Sequence, residues 1–318
     1  MIAPYPDDPA QRERWIMARR TGRNRVNPRQ PYAFLVEDER SASGQLVPMA
    51  AIFLTNRECP WHCLMCDLWK NTLPETVPPG AIPEQISFAL AKLPLARQIK
   101  LYNSGSFFDP RAIPPEDYPA IAERLRRFER VIVESHPAFV GDDCLRFRDL
   151  VFGDLEVAMG LETANPRALE KLNKRMTLEQ FDAAADFLRR NQIALRVFLL
   201  VNPPFIGQPE ALHWVRRSVE YAFDCGASVV TLIPTRPGNG ALEFLTQQGQ
   251  FHLPRLSTLE DAFTEALSFK RGRVFADLWD LEKFSQCDKC FPARWLRLRK
   301  MNYTQQIQPR PACPHCGT

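Results

Sequence analysis

No run of eighteen apolar residues occurs anywhere in the 318-residue chain, so no segment reads as a membrane-spanning helix. The opening residues, MIAPYPDDPAQRERW, lack the charged-then-apolar layout of an export signal. Low-complexity tracts and internal repeats are missing too, and 45% hydrophobic with 25% charged residues excludes disordered and fibrous classes. These absences predict a soluble, cytoplasmic protein of cytosolic redox habit. The length suits one large α/β domain, or a core of about 200 residues with appendages, and we read the second.

Nine cysteines would suggest disulfides in a small secreted chain, but a reducing compartment makes metal ligation the better reading. Seven fall in three clusters: Cys59/Cys63/Cys66, Cys287/Cys290 and Cys313/Cys316. Cys144 and Cys225 stand alone and read as small core residues. The first cluster lies in RECPWHCLMCDLWK (57–70) and has no fourth cysteine beside it. Structural zinc is closed by four protein ligands, whereas a four-iron cluster takes one cysteine per iron. Three thiolates can therefore hold three irons and leave the fourth open to a cofactor. A zinc knuckle completed by His62 or by a distant pair is the alternative, and it leaves the spacing unexplained.

VPMAAIFLT (47–55) is strand-like and runs into this cysteine loop. Further apolar runs follow at QIKLYNS, RVIVES, LEVAMGLE, ALRVFLLV and SVVTLIP, with amphipathic helical patterns between them. Six such strands alternating with helices predict an α/β fold with a parallel sheet of right-handed βαβ units. Periodicity does not separate an open sheet from a partial barrel. In both, ligands bind at the carboxyl ends of the strands, where the cysteine loop lies.

The Cys59-Xaa3-Cys63-Xaa2-Cys66 spacing with Trp61 resembles the signature of radical S-adenosylmethionine (radical SAM) enzymes. The resemblance implies a partial (β/α)6 radical SAM barrel, a four-iron four-sulfur (4Fe-4S) cluster and S-adenosyl-L-methionine on its open iron. Reductive cleavage would yield methionine and a 5′-deoxyadenosyl radical, with an electron donor such as flavodoxin or ferredoxin. Ser104, Gly105 and Ser106 occupy the place of the family's second-strand turn, although its usual double glycine and acid are absent. VESHP (133–137) matches an acidic third-strand end and makes Glu134 a pocket candidate. GLETANPRALEKLNKRMT (160–177) resembles the fourth-strand segment of Elp3-like and MiaB-like tRNA-modifying enzymes. By that match Glu162 faces the cofactor and Arg175 pairs with its carboxylate, or else Arg175 lies on a solvated helix face. LVNPPF and IPTRPGNG resemble the fifth and sixth strand ends, with Asn202 and Arg236 as lining or turn residues. Taken together the chain looks most like the small proteins related to the archaeosine-synthase radical subunit, an Elp3-like group acting on tRNA.

The domain reading is a basic N-terminal extension (1–46), a radical SAM core (47–250) and a C-terminal helix with a paired-cysteine module (251–318). Residues 9–30 carry seven arginines against one glutamate, read as a solvated helix and linker or as a phosphate-binding arm. Cys287, Cys290, Cys313 and Cys316 have the number and pairing of a zinc site, with an auxiliary iron–sulfur cluster as the other reading. Gly317, after the last pair, would let backbone amides face the thiolates. Arg294, Arg297, Arg299, Lys300 and Arg310, interleaved with Trp295 and Tyr303, read as an RNA-binding strip or a solvated face. Three functions result: radical modification of a tRNA nucleobase, radical chemistry on a peptide or small metabolite, and a non-catalytic zinc protein that binds RNA.

Overall fold

The computed structural model describes residues 4–316, so Gly317 lies outside the described residues. Eight strands form a single sheet in sequence order: β1 Ala33–Arg40, β2 Leu46–Phe53, β3 Gln98–Tyr102, β4 Arg130–Ser135, β5 Asp154–Glu162, β6 Ala194–Val201, β7 Val229–Pro234 and β8 Arg273–Ala276. The β1–β2 pair is antiparallel and every later pair is parallel. Parallel neighbours require crossovers, and each one here carries at least one helix. The six expected strands are β2 to β7. The hairpin strand β1 and the short β8 are additions at the two edges.

Alternation along each strand separates the two faces. Ile99, Leu101, Val131, Val133, Val157, Val197 and Leu199 face the helices and join the main core. The other face holds ions. Arg196 of β6 donates to Glu39 of β1 at 2.6 Å and to Glu156 of β5 at 2.7 Å, while Lys100 of β3 lies 2.6 Å from Glu39. Strands β1 and β6 are five positions apart, about 24 Å across a flat sheet. A 2.6 Å contact between them is possible only because the sheet curls into a half-barrel. Arg196 and Glu156 are essentially inaccessible, so each charge depends on its partners.

The gap between β8 and β1 is filled by helix Phe291–Thr304 and the residue after it. The Asn302 side chain pairs with Ala276 at 2.9 Å in both directions, and Gln305 does the same with Val274 at 2.7 and 2.8 Å. Two side-chain amides thus satisfy backbone groups that a further strand would have met. Arg40 of β1 donates to the Tyr303 carbonyl. Leu281, Phe284, Leu298 and Met301 share the barrel's core, so the C-terminal residues do not build a core of their own.

The N-terminal segment is likewise packed. Helix Pro9–Met17 starts at Asp8, whose carboxylate accepts from the Gln11 N–H at 2.8 Å. Trp15 and Ile16 join Leu64, Leu242, Leu245 and Phe251 in a second small core beneath the cysteine loop. Among the described residues no helix is long and apolar enough to cross a membrane.

Candidate metal and cofactor site

The cysteine loop leaves the carboxyl end of β2 and is held from three directions. Leu64 N–H donates to the Leu172 carbonyl and Asn173 Nδ2 to the His62 carbonyl, both at 2.9 Å. Asn239, past the end of β7, donates to the Leu64 carbonyl, and Lys70 donates to that of Gly238. From the N-terminal arm, Arg20 and Arg23 both grip Glu58, beside the first cysteine. His62 turns to Glu13 at 2.9 Å, so its ring is engaged on the arm rather than completing a thiolate site. Five of the arm's seven arginines are engaged within the protein, with Arg12 on Glu170, Arg19 over the Trp15 ring and Arg29 on Glu84 in addition to Arg20 and Arg23. Arg14 and Arg25 stay exposed.

Burial pushes the thiols of Cys59, Cys63 and Cys66 up to about 12, so at neutral pH each keeps its proton until a metal displaces it. The three do not form a set with all ligand atoms within 4.8 Å. Thiolates on separate irons stand farther apart than thiolates on one ion. Around them several buried polar atoms have no protein partner, among them both amide atoms of Asn103, Oδ1 of Asn56 and of Asn202, and Oγ1 of Thr55. Each costs about 1–3 kcal/mol when unmet. They sit after β2, β3 and β6, the strand ends where the resemblance sets S-adenosylmethionine, and the donor set fits a polar cofactor there.

The sequence candidates converge on this mouth. Glu134 Oε1 accepts from the Asn103 N–H at 2.6 Å and the Gly105 N–H at 3.4 Å. Burial raises its carboxyl to about 7, against the lowering effect of those amides. A Cβ on Gly105 would stand 3.2 Å from Cys59 Cβ, so a small residue lets the turn meet the loop. Ser104 Oγ lies 3.1 Å from Tyr32 Oη, and Ser106 Oγ accepts from the His136 N–H at 2.8 Å. Asn202 Nδ2 donates to the His252 carbonyl at 2.7 Å. Ser104, Glu162, Arg175 and Asn202 all have left-handed backbone, φ of 55°, 66°, 58° and 55°. Such strain in non-glycine residues costs about 1–3 kcal/mol each and gathers at functional sites.

Arg175 departs from expectation: its guanidinium donates to the Pro9 carbonyl at 2.8 Å and to Glu13 at 3.2 Å, on the N-terminal helix. Its neighbour Lys174 turns inward instead and donates to Glu162 at 2.8 Å, with both side chains buried. Although burial pulls Lys174 down, the Glu162 carboxylate outweighs it and keeps the ammonium charged. Sequence reasoning missed Lys174 and also Gly160, where a Cβ would fall 2.4 Å from Glu162 Oε1 and 2.7 Å from Lys174 Nζ. Arg236 is occupied by Asp277 at 2.7 Å and by the Trp279 carbonyl.

Trp61, inside the cysteine spacing, stacks on His136 with centroids 3.8 Å apart and planes 14° from parallel. His136 Nε2–H donates to the Lys174 carbonyl at 3.0 Å while Nδ1 accepts from the Ala138 N–H, which fixes a neutral ring. Burial, then the Lys174 charge, lower this imidazole to about 3. Its contribution is whole above the ordinary value of about 6.5 and is lost as pH falls toward 3. Urea titrations from pH 7 to 4 should therefore show the stability advantage of wild type over His136→Phe shrinking with acidity. A constant difference would exclude the buried neutral histidine.

No protein-family model matches the chain. An uncharacterised protein of Methanocaldococcus jannaschii, MJ0550, is 27% identical over 251 residues, 74% of this chain and 69% of that one. Archaeosine synthase subunit beta of Methanosarcina acetivorans is 28% identical over 177 residues, 53% of this chain and 50% of the subunit, so the chain spans about half of that relative. Among solved structures, methylornithine synthase (PylB) superposes with a TM-score of 0.52 at 15% identity over 80% of this chain and 69% of its own. Elp3 of Methanocaldococcus infernus gives 0.51 at 13%, over 68% and 57%. Both are radical SAM enzymes. The chain has the radical SAM fold.

At the start of helix Phe291–Thr304 and in the tail after it, Cys287, Cys290, Cys313 and Cys316 bring their sulfurs within 4.8 Å of one another, a group able to hold a metal ion. Cys287 and Cys313 are 4.0 Å apart, Cys290 and Cys316 3.7 Å. The nearby cations are mostly spent: Arg294 donates to Glu260 at 2.6 Å, Arg297 to the Gln308 carbonyl at 2.8 Å, and Arg310 pairs with Asp261. Of the proposed basic strip Arg299, Lys300 and Arg310 stay exposed, Arg310 in its pair with Asp261 and Arg299 over the Trp295 and Tyr303 rings. Cys144 and Cys225 are buried, as expected of small core residues.

Proposed function

We propose that the chain is a radical SAM enzyme acting on a nucleobase of tRNA. The observation that carries the chemistry is the three-thiolate loop at the polar carboxyl end of the parallel strands; the likeness to archaeosine synthase subunit beta supports the substrate class. Cys59, Cys63 and Cys66 would hold the 4Fe-4S cluster. When bound, that cluster and S-adenosylmethionine supply a one-electron cleavage to methionine and a 5′-deoxyadenosyl radical. Glu134, the Asn103 carboxamide and the Ser104–Ser106 turn are placed to bind the cofactor's polar end, and Glu134 can accept from an ammonium. Lys174 sets a positive charge beside Cys63 and Cys59, which favours their thiolate forms. Glu162 orients Lys174.

At the C-terminal cysteines we propose a single zinc. Tetrahedral zinc with bonds of about 2.3 Å sets its sulfurs about 3.8 Å apart, which suits the two pairs at 3.7 and 4.0 Å.

Anaerobic reconstitution followed by reduction should give 5′-deoxyadenosine, with its yield rising when unfractionated tRNA is added. Binding of that tRNA should weaken linearly in log salt as phosphate neutralisation releases counterions. Deoxyadenosine without any tRNA response, but coupled to a peptide or small metabolite, would move the substrate to that class.

A further inference from the structure

Six tryptophans occur in the chain, and five of them are buried or half-buried. The sixth, Trp279, is 59% exposed. Exposed indole is costly to leave in water, at roughly 25 cal/mol per Å² of apolar surface. Its position is nonetheless tightly specified. It follows β8 by three residues, at the carboxyl end of the sheet. Its N–H donates to Asp277 Oδ1 at 3.0 Å, its carbonyl accepts from Arg236, and Arg236 in turn is paired with Asp277. The turn is therefore closed by two hydrogen bonds and an ion pair.

This turn also lies on the same rim as the cysteine loop. Arg236 is two residues from Gly238, whose carbonyl receives Lys70, and whose Cα region meets Asp67 next to Cys66. The chain from Trp279 through Arg236 and Gly238 to Cys66 is continuous in contacts. A rigid, exposed aromatic face on the mouth of a barrel suits the face of a heteroaromatic ring, since stacking needs a flat partner and no directed hydrogen bond.

We propose that Trp279 is the stacking platform for an unpaired nucleobase of the RNA, holding it at the barrel mouth, with Arg236 and Asp277 as its positioning residues. The inference rests on the tRNA reading above and deepens it. It also supplies what the arm and the C-terminal helix do not: with most of their arginines bound internally, base stacking carries a larger share of RNA recognition.

The test compares wild type, Trp279→Ala and Trp279→Phe for binding of unfractionated tRNA, alongside deoxyadenosine formed without RNA. Loss of a base stack should weaken tRNA binding by Trp279→Ala about 5- to 150-fold. Trp279→Phe, which keeps a flat ring, should stay within about threefold of wild type, and RNA-free deoxyadenosine should be unchanged in both. Acrylamide quenching of wild-type tryptophan fluorescence supplies a readout that needs no variant to fold. It should fall when tRNA is added, because the exposed indole becomes covered. Wild-type affinity in Trp279→Ala with undiminished quenching would overturn the stacking role and leave the tRNA reading intact. No tRNA binding by wild type would remove both. A change in self-association with Trp279→Ala, at constant tRNA affinity, would assign the indole to a protein contact and overturn the proposal.

Discussion

A variant with Cys59, Cys63 and Cys66 all replaced by serine will bind no 4Fe-4S cluster after anaerobic reconstitution, will make no 5′-deoxyadenosine, and will still purify with one zinc ion. The argument is geometric. The C-terminal sulfurs are near enough for a single ion, the loop thiols are not, and the two sets form separate groups. Hydroxyl oxygens in place of thiolates are poor ligands for iron in such clusters. The converse variant, Cys287→Ser with Cys313→Ser, should lose zinc. Structural zinc sites contribute folding energy outright, so this variant should also melt well below wild type. Iron and sulfide in stoichiometric amounts in the triple-serine protein would sink the zinc assignment and establish an auxiliary cluster at the C-terminal cysteines.

Replacing Lys174 by methionine should destabilise the metal-free loop form of the protein by about 3–5 kcal/mol, because it strands the buried Glu162 carboxylate. Against the 5–15 kcal/mol that holds a typical domain, such a loss is severe. The double variant Lys174→Met with Glu162→Gln removes both charges and should recover much of the loss. That comparison separates pair energetics from mere packing, since the methionine is common to both proteins. Denaturant titration in the presence of zinc is the measurement. A single variant within about 1 kcal/mol of wild type would mean that Glu162 is not held by Lys174. Should both variants fold, the single one is also expected to take up iron more weakly, because the ammonium beside Cys63 and Cys59 is gone.

The barrel strands could be read from the sequence because β2 to β7 are short apolar runs bounded by helical patterns. The edges could not. In AFLVEDER the glutamates at 37 and 39 read as surface charge, yet both turn into the lumen to meet Lys100 and, for Glu39, Arg196. A period-two pattern of single charges inside QIKLY, LEVAMGLE and ALRVFLLV was a visible sign of an ionic interior, since Lys100, Glu156 and Arg196 share one face. At the site, Cys59, Cys63, Cys66 and Glu134 fall where their spacing and strand ends suggest. The inward turn of Lys174, beside an Arg175 that goes to the N-terminal helix, left no sign in the sequence. The two are adjacent basic residues in a stretch with left-handed backbone at Asn173 and Arg175, a conformation that residue type does not announce. Arginine counts likewise say nothing of partners: Glu58 alone absorbs two of the seven in residues 9–30.

The side-chain amides of Asn302 and Gln305 on β8 have a consequence for the protein at high concentration. An open parallel edge is a template on which another chain can add a strand, and repeated addition is the route to aggregates. Here the N–H and carbonyl groups of Val274 and Ala276 are already taken, by two residues whose side chains end after one bond pair and offer no new edge. Since Cys287 and Cys290 immediately precede that helix and Cys313 and Cys316 gather against them, a metal held by the cysteine group would also guard the sheet against its own copies.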